Sequence, residues 1–324
     1  MDAGEIARQR MHSQRLWGEP FAGPEETVRA LGAVQAQEYM PATWSIAARA
    51  GSDKAAVDQA LTDGTILRTH LLRPTWHFVH RDDIRWLLEL TAPRINALNA
   101  YYYRKFRLDD EEFERANSLL AKVLRGGNQL SRRELAPLFP EATGIHLGYI
   151  LMRAELDQVI CSGAGRTYAL FDERVPPGKP WERERALAEL ARRYFGTRGP
   201  ATTVKDFAQW SSLSIADCKL ALDLVRETVP NKEIVADRGH RIDLIQCYDE
   251  VVMSYSESRD ALMLPGVKVP EAHLLHLILL DGQLIGAWKP GTRKGIETEF
   301  FRALNAEEQS AFAEAENRFH EFLG

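Results

Sequence analysis

The chain has 324 residues, of which 45% are hydrophobic and 27% are charged, and its formal net charge is −5. This composition is typical of a soluble globular protein, and the length predicts roughly two to four domains. No apolar run is long enough for a transmembrane helix, and the N-terminus lacks the basic-then-apolar order of a signal peptide, so we expect a cytoplasmic protein. Cys161, Cys218 and Cys247 are odd in number and too far apart for a disulfide framework or a zinc knuckle, so we expect reduced thiols. We also expect neither a metal nor a cofactor.

The distribution of charge indicates one basic face on an otherwise acidic molecule. A negative net charge argues against a protein whose whole surface binds nucleic acid. Between Gly64 and Arg107, however, eight Arg and Lys residues stand against three Asp and Glu residues. Most of the opposite bias lies in the C-terminal stretch from Glu297 to Glu321. This is weak evidence for DNA binding, but it is local.

The first block of the chain, residues 1–109, has the element order of a winged helix. Helical spacing alternates with glycine and aspartate signals for helix ends, and a stretch of alternating polar and apolar residues around Pro74 predicts a two-stranded ribbon. The predicted elements are helices over 6–17, 24–31, 42–51, 54–63 and 82–90 and a ribbon over 65–79. Helices followed by a ribbon in this order form a winged helix-turn-helix.

Two further blocks repeat this order, and the remainder of the chain is rich in strands. The second block covers 110–178 and the third covers 179–245. The predicted elements are helices over 111–124, 131–138 and 144–157 with a hairpin over 159–170, then helices over 181–195, 204–210 and 218–228 with a wing over 233–243. Residues 246–324 predict a small β-domain with strands over 251–253, 273–280 and 283–288 and a closing helix over 307–323. We therefore predict an α+β fold of three tandem winged-helix units and a C-terminal β-barrel-like domain.

Two glutamines separated by one residue, Gln35 and Gln37, follow the helix that Gly32 is expected to end. On an extended backbone the side chains at i and i+2 point to the same side, whereas on a helix they lie roughly 200° apart. We therefore expect both amides to face one cleft. The alternative is structural, because most such pairs are solvated or fix a loop.

Basic residues on the ribbon and on a C-terminal turn are the candidate DNA contacts. Charge on a mostly apolar ribbon is costly unless it is used or solvated, which favours phosphate binding. The candidates are Arg68, Arg73, His77, Lys289, Arg293 and Lys294. For His77 a core hydrogen bond is an equal alternative, and for the C-terminal turn the alternative is simple solubility.

Other chemically suggestive residues are interpreted as structural. Glu38 adjoins Gln37 and is expected to form an ion pair, and Asp249 and Glu250 are expected to cap or brace the β-domain. Trp44 and Trp76 are interpreted as core residues, not as wedges between bases. The aromatic and basic run over 101–107 fits either a nucleic-acid contact or a plain amphipathic helix end.

Short segments along nearly the whole chain resemble the winged-helix DNA-binding family that includes the AlkZ-like bacterial DNA glycosylases. Each segment is short, but their order and spacing together are specific. The segments are Ile6 to Leu16, Ala33 to Gln37, Leu72 to Val79, Gly199 to Thr202, Asp206-Phe207, Tyr248-Asp249-Glu250 and Leu284 to Trp288. The resemblance implies three tandem winged helices and a C-terminal β-domain.

The same resemblance implies a function and a catalytic element. The family removes alkylated bases, including crosslinked ones, by hydrolysis of the N-glycosidic bond, and its catalytic motif corresponds here to Gln35-Ala36-Gln37. The implied partner is double-stranded DNA with alkylated bases, bound by a nucleoid-associated monomer. The rival interpretation is a non-catalytic winged-helix DNA-binding protein or transcriptional regulator. Three unlike units in one chain argue against the symmetric dimer that most such regulators form.

Overall fold

The computed structural model describes residues 1–142, 144–199, 201–228, 240–267, 276–291 and 295–324. Helices dominate the first three blocks, and the longest sheet lies in the C-terminal part. Within these ranges no helix combines the length and the apolar character that crossing a membrane requires.

In the first block, helices surround a three-stranded antiparallel sheet. Its elements are α1 (Ala3–Ser13), α2 (Pro24–Leu31), β1 (Val34–Gln35), α3 (Tyr39–Ala50), α4 (Lys54–Asp63), β2 (Ile66–Leu71), β3 (Thr75–His80) and α5 (Ile84–Lys105). The strand order is β1-β3-β2, so the short strand that ends in Gln35 pairs with the second strand of the ribbon. The register places Gln35 opposite His77.

Local signals in the sequence account for the helix ends of this block. Gly32 follows α2 with φ at 84°, and Gly51 ends α3 in the left-handed conformation that glycine adopts without steric cost. The carboxylate of Asp53 accepts a hydrogen bond from the backbone N–H of Ala56, which caps α4. These predicted boundaries are confirmed, whereas α5 continues to Lys105, well beyond the predicted end at Leu90.

The second block repeats the order of the first. Its elements are α6 (Asp110–Leu124), β4 (Leu130–Ser131), α7 (Arg132–Leu135), α8 (Ile145–Leu156), β5 (Ile160–Ser162), β6 (Thr167–Leu170) and α9 (Phe171–Arg174). The strand order β4-β6-β5 matches that of the first sheet, with a short strand beside the second strand of a hairpin. Ser131 and Glu134 form the predicted capping box, in which each side chain accepts from the other residue's backbone N–H.

The third block contains three helices but differs from the prediction at its wing. The helices are α10 (Arg183–Arg198), α11 (Val204–Ser211) and α12 (Ile215–Val225), and Thr203 forms a capping box with Asp206 at the start of α11. Residues 233–235 of the predicted wing lie outside the described residues. Residues 241–243 do not form a wing, because Ile242 begins a strand of the C-terminal sheet.

The C-terminal part is an antiparallel sheet with a helix packed against it. Its elements are β7 (Ile242–Ile245), α13 (Glu250–Met253), β8 (His276–Leu280), β9 (Gln283–Pro290), β10 (Ile296–Phe300) and α14 (Ala306–Leu323). The strand order is β10-β9-β8-β7, so each strand pairs with its neighbour in sequence, and a barrel-like closure stays a prediction. Residues 251–253 form a helical turn instead of the predicted strand, because the Asp249 carboxylate accepts from the backbone N–H of Val251 and caps that turn.

The sheet of the first block is buried on both faces, and this position defines the core. Ile66 and Phe78 belong to a cluster that includes the C-terminal sheet and α14, whereas Leu67 and Val79 belong to a cluster that includes α10 to α12. Successive residues of a strand point to opposite faces, so one ribbon contributes to two cores. The first block is therefore packed between the third block and the C-terminal sheet.

We expect Phe319→Ala to lower the free energy of unfolding by about 3–5 kcal/mol, the usual cost of removing a buried aromatic ring. The buried Phe319 ring, on α14, lies 5.3 Å from the Trp44 ring and 5.0 Å from the Trp288 ring. Its loss should therefore destabilise the first block and the C-terminal part together. Urea unfolding followed by tryptophan fluorescence measures this change. Asn317→Ala, on the exposed side of α14, is the control and should change the value by about 0.5 kcal/mol or less. Two separate unfolding transitions in the wild type would contradict a shared core.

Candidate active site

Gln35 is fixed at the end of β1 by side chains from distant parts of the chain. Its side chain is 2% exposed. Its backbone N–H donates to Glu250 Oε1 at 3.2 Å, and its carbonyl accepts from Gln246 Nε2 at 3.2 Å. A two-residue strand leaves backbone groups on its free edge without a ladder partner, and buried groups of this kind need one. Gln246 and Glu250 supply those partners.

The amide oxygen of Gln35 is held by Arg73. Arg73 Nη2 donates to Gln35 Oε1 at 2.6 Å, and Arg73 Nη1 donates to the carbonyl oxygen of Trp210 at 2.7 Å. Burial lowers the pKa of Arg73, and the negative charge of Glu250 opposes that shift. The guanidinium is therefore directed into the protein, whereas the predicted phosphate contact requires one directed towards solvent. The bond to Trp210 fixes the guanidinium, and the bond to Oε1 selects one orientation of the Gln35 amide.

His77 lies beside this pair as a neutral ring. Its Nδ1 is 2.9 Å from the carbonyl oxygen of Thr75, and since a carbonyl only accepts, Nδ1 carries the proton. The unprotonated Nε2 then faces Arg73 Nη2 at 3.4 Å. Burial, together with the charge of Arg73, holds the pKa of His77 well below its usual range. Of the two alternatives for this residue, the contacts support the core hydrogen bond.

A fully buried carboxylate connects Gln35 to the third block. Glu250 Oε2 accepts from Arg198 Nη2 at 2.8 Å, from Trp210 Nε1 at 2.7 Å and from Ser254 Oγ at 2.9 Å. With the bond from the Gln35 backbone, both carboxylate oxygens are satisfied, as a buried charge requires. The first residue of α13 therefore holds α10, α11 and β1 together at one point.

Gln37 differs from Gln35 in its exposure. It lies in a bend beyond the end of β1 and is exposed to solvent. Its Oε1 accepts from the backbone N–H of Trp76 at 3.3 Å, which keeps the side chain close to β3. The extended backbone that the i, i+2 argument assumes ends at Gln35, so the motif presents one buried, fixed amide and one exposed amide.

Asp249 and Glu38 take up the structural contacts expected of them, with one difference. Asp249 is fully buried and forms an ion pair with Arg49, Oδ1 to Nη2 at 2.6 Å, which agrees with a bracing role. Glu38 faces His276, with Oε2 3.5 Å from Nε2. Burial lowers the pKa of His276, so the contact joins Glu38 to a neutral imidazole instead of completing the predicted ion pair.

Glu38, Cys247 and His276 are also a set that could hold a cation. One ligand atom from each lies within 4.8 Å of the others. The backbone N–H of Cys247 donates to His276 Nδ1 at 3.3 Å, so the ring proton is on Nε2 and points to Glu38. Burial, with Glu38 acting in the same direction, raises the pKa of Cys247 to about 12 and keeps the thiol protonated. The Cys247 thiol donates to Glu38 Oε1 at 3.7 Å, so hydrogen bonds within the set engage all three side chains.

Of the remaining predicted DNA contacts, Arg68 is hydrogen-bonded to the glutamine motif itself. Arg68 donates from Nε and Nη2 to the carbonyl of Ala36 at 3.1 and 2.9 Å, so its guanidinium contacts the residue between the two glutamines. Lys289 is exposed near the end of β9, with Nζ 2.7 Å from Glu297 Oε2. Arg293 and Lys294 lie outside the described residues.

Two members of the site had no signal in the sequence. Arg198 and Trp210 come from α10 and α11, more than 160 positions along the chain from Gln35, and no motif or spacing relates them to it. Trp210 is one of the largest fully buried side chains. Hydrophobic periodicity predicts only that such a residue belongs to a core. Their role depends on packing between blocks, which local patterns do not encode.

Comparisons with known proteins agree with this architecture. The sequence model described as "DNA glycosylase AlkZ-like" matches residues 28–322. Among solved structures, the chain is similar to Streptomyces sahachiroi DNA glycosylase AlkZ, with 19% identity, a TM-score of 0.78, and coverage of 100% of this chain and 97% of the other. No match was found among curated proteins. The structural likeness shows the fold, and the sequence match shows that the chain belongs to the AlkZ-like DNA glycosylase family.

Proposed function

We propose that the protein is a monofunctional DNA repair glycosylase that removes cationic purines alkylated at N7 or N3, including those in interstrand crosslinks. In this proposal Gln35 and Gln37 position the water that hydrolyses the N-glycosidic bond. The observation that carries it is the fixed amide of Gln35 beside the exposed amide of Gln37 in a chain of this family. The site would be presented to duplex DNA by a monomer whose blocks act as winged helices.

The chemistry of a cationic purine suits a site made of amides. An amide cannot act as a general base near neutral pH. A purine alkylated at N7 or N3 already carries a positive charge, so the electrons of the breaking bond neutralise it and it leaves without being protonated. Water then adds to C1′ of the sugar and releases a proton to solvent. What remains for the protein is to orient the water and stabilise the oxocarbenium-like sugar.

Electrostatics suggests different roles for the two amides. Arg73 places a positive charge 2.6 Å from Gln35 Oε1, which disfavours a cationic sugar at that atom. An amide oxygen has two acceptor sites, so Gln35 retains one for a water molecule. Gln37 is exposed, and its one hydrogen bond within the described residues is the long 3.3 Å bond from Trp76, so its oxygen is available to face the developing charge on the sugar. In our proposal Gln35 orients the water and Gln37 stabilises the sugar.

Release of 7-methylguanine from an alkylated duplex tests this proposal. We expect the wild type to release the base, and Gln35→Ala and Gln37→Ala to lower the single-turnover rate constant by about tenfold to a hundredfold, because each removes an oriented acceptor. Duplex affinity should persist in both variants. Gln309→Ala, which removes an exposed amide from α14, is the matched control and should retain the wild-type rate.

Two results would contradict the proposal in different ways. Equal rates for the wild type and both motif variants would remove the glutamines from the mechanism. A wild type that binds duplex DNA but releases neither 7-methylguanine nor bulkier cationic adducts would leave the non-catalytic DNA-binding interpretation.

Neutral bases should be poor substrates. Uracil leaves as an anion unless an acid protonates it, and such general acid catalysis contributes about 10²–10⁴ in rate. The glutamine pair supplies no such acid, so we expect uracil release at least about a hundredfold slower than 7-methylguanine release under the same conditions. Parallel single-turnover assays on duplexes with one lesion each give the ratio. Comparable rates for the two bases would contradict an amide-only site.

Activity should not follow the titration of a histidine. Burial and the charge of Arg73 hold the pKa of His77 well below its usual range, so the ring stays neutral as the pH falls from about 7.0 to about 5.5. We expect the rate of 7-methylguanine release, corrected for spontaneous depurination, to change less than about twofold over this interval. A histidine base with an ordinary pKa near 6.5 would become protonated and lose about eightfold. A loss of that size would identify a titrating base that the proposal lacks.

A further inference from the structure

A small cavity lies between the first block and the hairpin of the second block, close to Gln37. Its volume is about 40 Å³, room for roughly three water molecules and too little for a purine. Its lining includes Tyr39, Arg68, Trp76, Arg166 and Tyr168. Trp76 connects the cavity to the glutamine motif, because its backbone N–H donates to Gln37 Oε1.

The lining contains two guanidinium groups and no carboxylate. Arg68 lies 4.2 Å from the centre of the Trp76 ring, and its Nη1 has no hydrogen-bond partner within the described residues. Arg166 is exposed on the turn between β5 and β6, with its guanidinium 4.7 Å from the centre of the Tyr39 ring. Among the described residues neither arginine has an ion-pair partner within 4.0 Å.

The positive charge of this cavity is not compensated by an ion pair within 4.0 Å among the described residues, although the buried carboxylate of Glu155 acts on it. Burial lowers the pKa of Arg68 to about 10, and the neighbouring Arg166 acts in the same direction. Glu155 opposes the shift; its Oε2 is hydrogen-bonded to His70, and its Oε1 has no hydrogen-bond partner among the described residues. Two like charges beside each other in a partly desolvated site are unfavourable without a counter-ion. A bound anion would remove this penalty.

Neutral donors complete a site suited to an anion. Burial raises the pKa of both Tyr39 and Tyr168, so their hydroxyl groups keep their protons. Protonated phenols and guanidinium groups all donate hydrogen bonds, which phosphate oxygens accept. The backbone of Arg166 has φ at 63°, in the left-handed region that residues other than glycine rarely adopt. That turn directs its guanidinium over Tyr39.

We infer that this cavity binds a phosphodiester group of the DNA strand that passes Gln37, with Arg166 and Arg68 as its cationic contacts. The inference rests on the proposed function for the identity of that strand, although phosphate binding itself requires no catalysis. Phosphate contacts fix the register of a protein on DNA without reading sequence. A phosphate held beside Trp76 would set the position of the neighbouring nucleotide relative to Gln37.

The salt dependence of binding to an undamaged duplex tests the inference without any reaction. The probe is a fluorescein-labelled duplex, with affinity measured by anisotropy from about 50 to about 300 mM NaCl. Loss of one phosphate contact should reduce the slope of log K against log salt by about 0.9 and weaken binding about fivefold at 0.15 M. We expect this for Arg166→Gln. Arg259→Gln makes the same charge change at an exposed residue away from the cavity and should match the wild type.

The outcomes separate this site from the proposed function. If Arg166→Gln has the wild-type slope, the phosphodiester site is overturned, whether or not the wild type releases 7-methylguanine. If Arg166→Gln reduces the slope while the wild type releases no base, the site stands and the glycosylase proposal fails. Phosphorus NMR with inorganic phosphate tests whether the cavity binds free phosphate instead of a DNA phosphodiester. Binding of free phosphate that Arg166→Gln abolishes, with an unchanged DNA slope, would overturn DNA as the ligand.

Discussion

The buried carboxylate of Glu250 joins three separate parts of the chain, and the geometry around Gln35 depends on it. It accepts from the backbone of Gln35, from Arg198 and from Trp210. Removing one member of a buried ion pair costs about 3–5 kcal/mol, although replacing both members with apolar residues is often neutral. The network therefore contributes more to position than to net stability. It fixes the strand end from which the first glutamine of the motif projects.

Packing on both sides of the ribbon reinforces this positioning. Phe78 and Val79 face opposite cores, so β3 cannot shift without disturbing the third block and the C-terminal sheet together. Gln35 is paired with this strand, whereas Gln37 lies just beyond the paired residues. Groups on strands within a packed core are held more precisely than groups on loops. The motif thus combines a buried amide on the paired strand with an exposed amide beyond it, which agrees with the different roles that we propose for the two.

The sequence predicted local structure well and long-range contacts poorly, for a physical reason. The caps at Asp53 and Ser131 involve partners three residues away, so their patterns are visible in the sequence. The bond from Arg73 to Gln35 spans 38 positions. The cost of charge on an apolar ribbon indicates that Arg73 needs a partner, but it does not identify Gln35 as that partner. Ile242 has the alternation of a wing strand, but its pairing with Leu280 decided its sheet. Alternation indicates a strand, and tertiary packing selects the neighbour.

The positive charges around the glutamine motif have a consequence for the proposed reaction. Arg73 lies on the Gln35 side, and Arg68 and Arg166 lie on the Gln37 side. Two unit charges of the same sign at about 4 Å repel by about 4 kcal/mol near a protein surface, so a cationic base alone would bind poorly here. In our proposal the phosphates of a DNA strand neutralise Arg68 and Arg166 as the lesion enters, whereas Arg73 stays bonded to Gln35 and Trp210. Under this proposal the site suits an alkylated base within a strand better than a free alkylated nucleoside, because the arginines proposed to contact the backbone would also repel an unaccompanied cation.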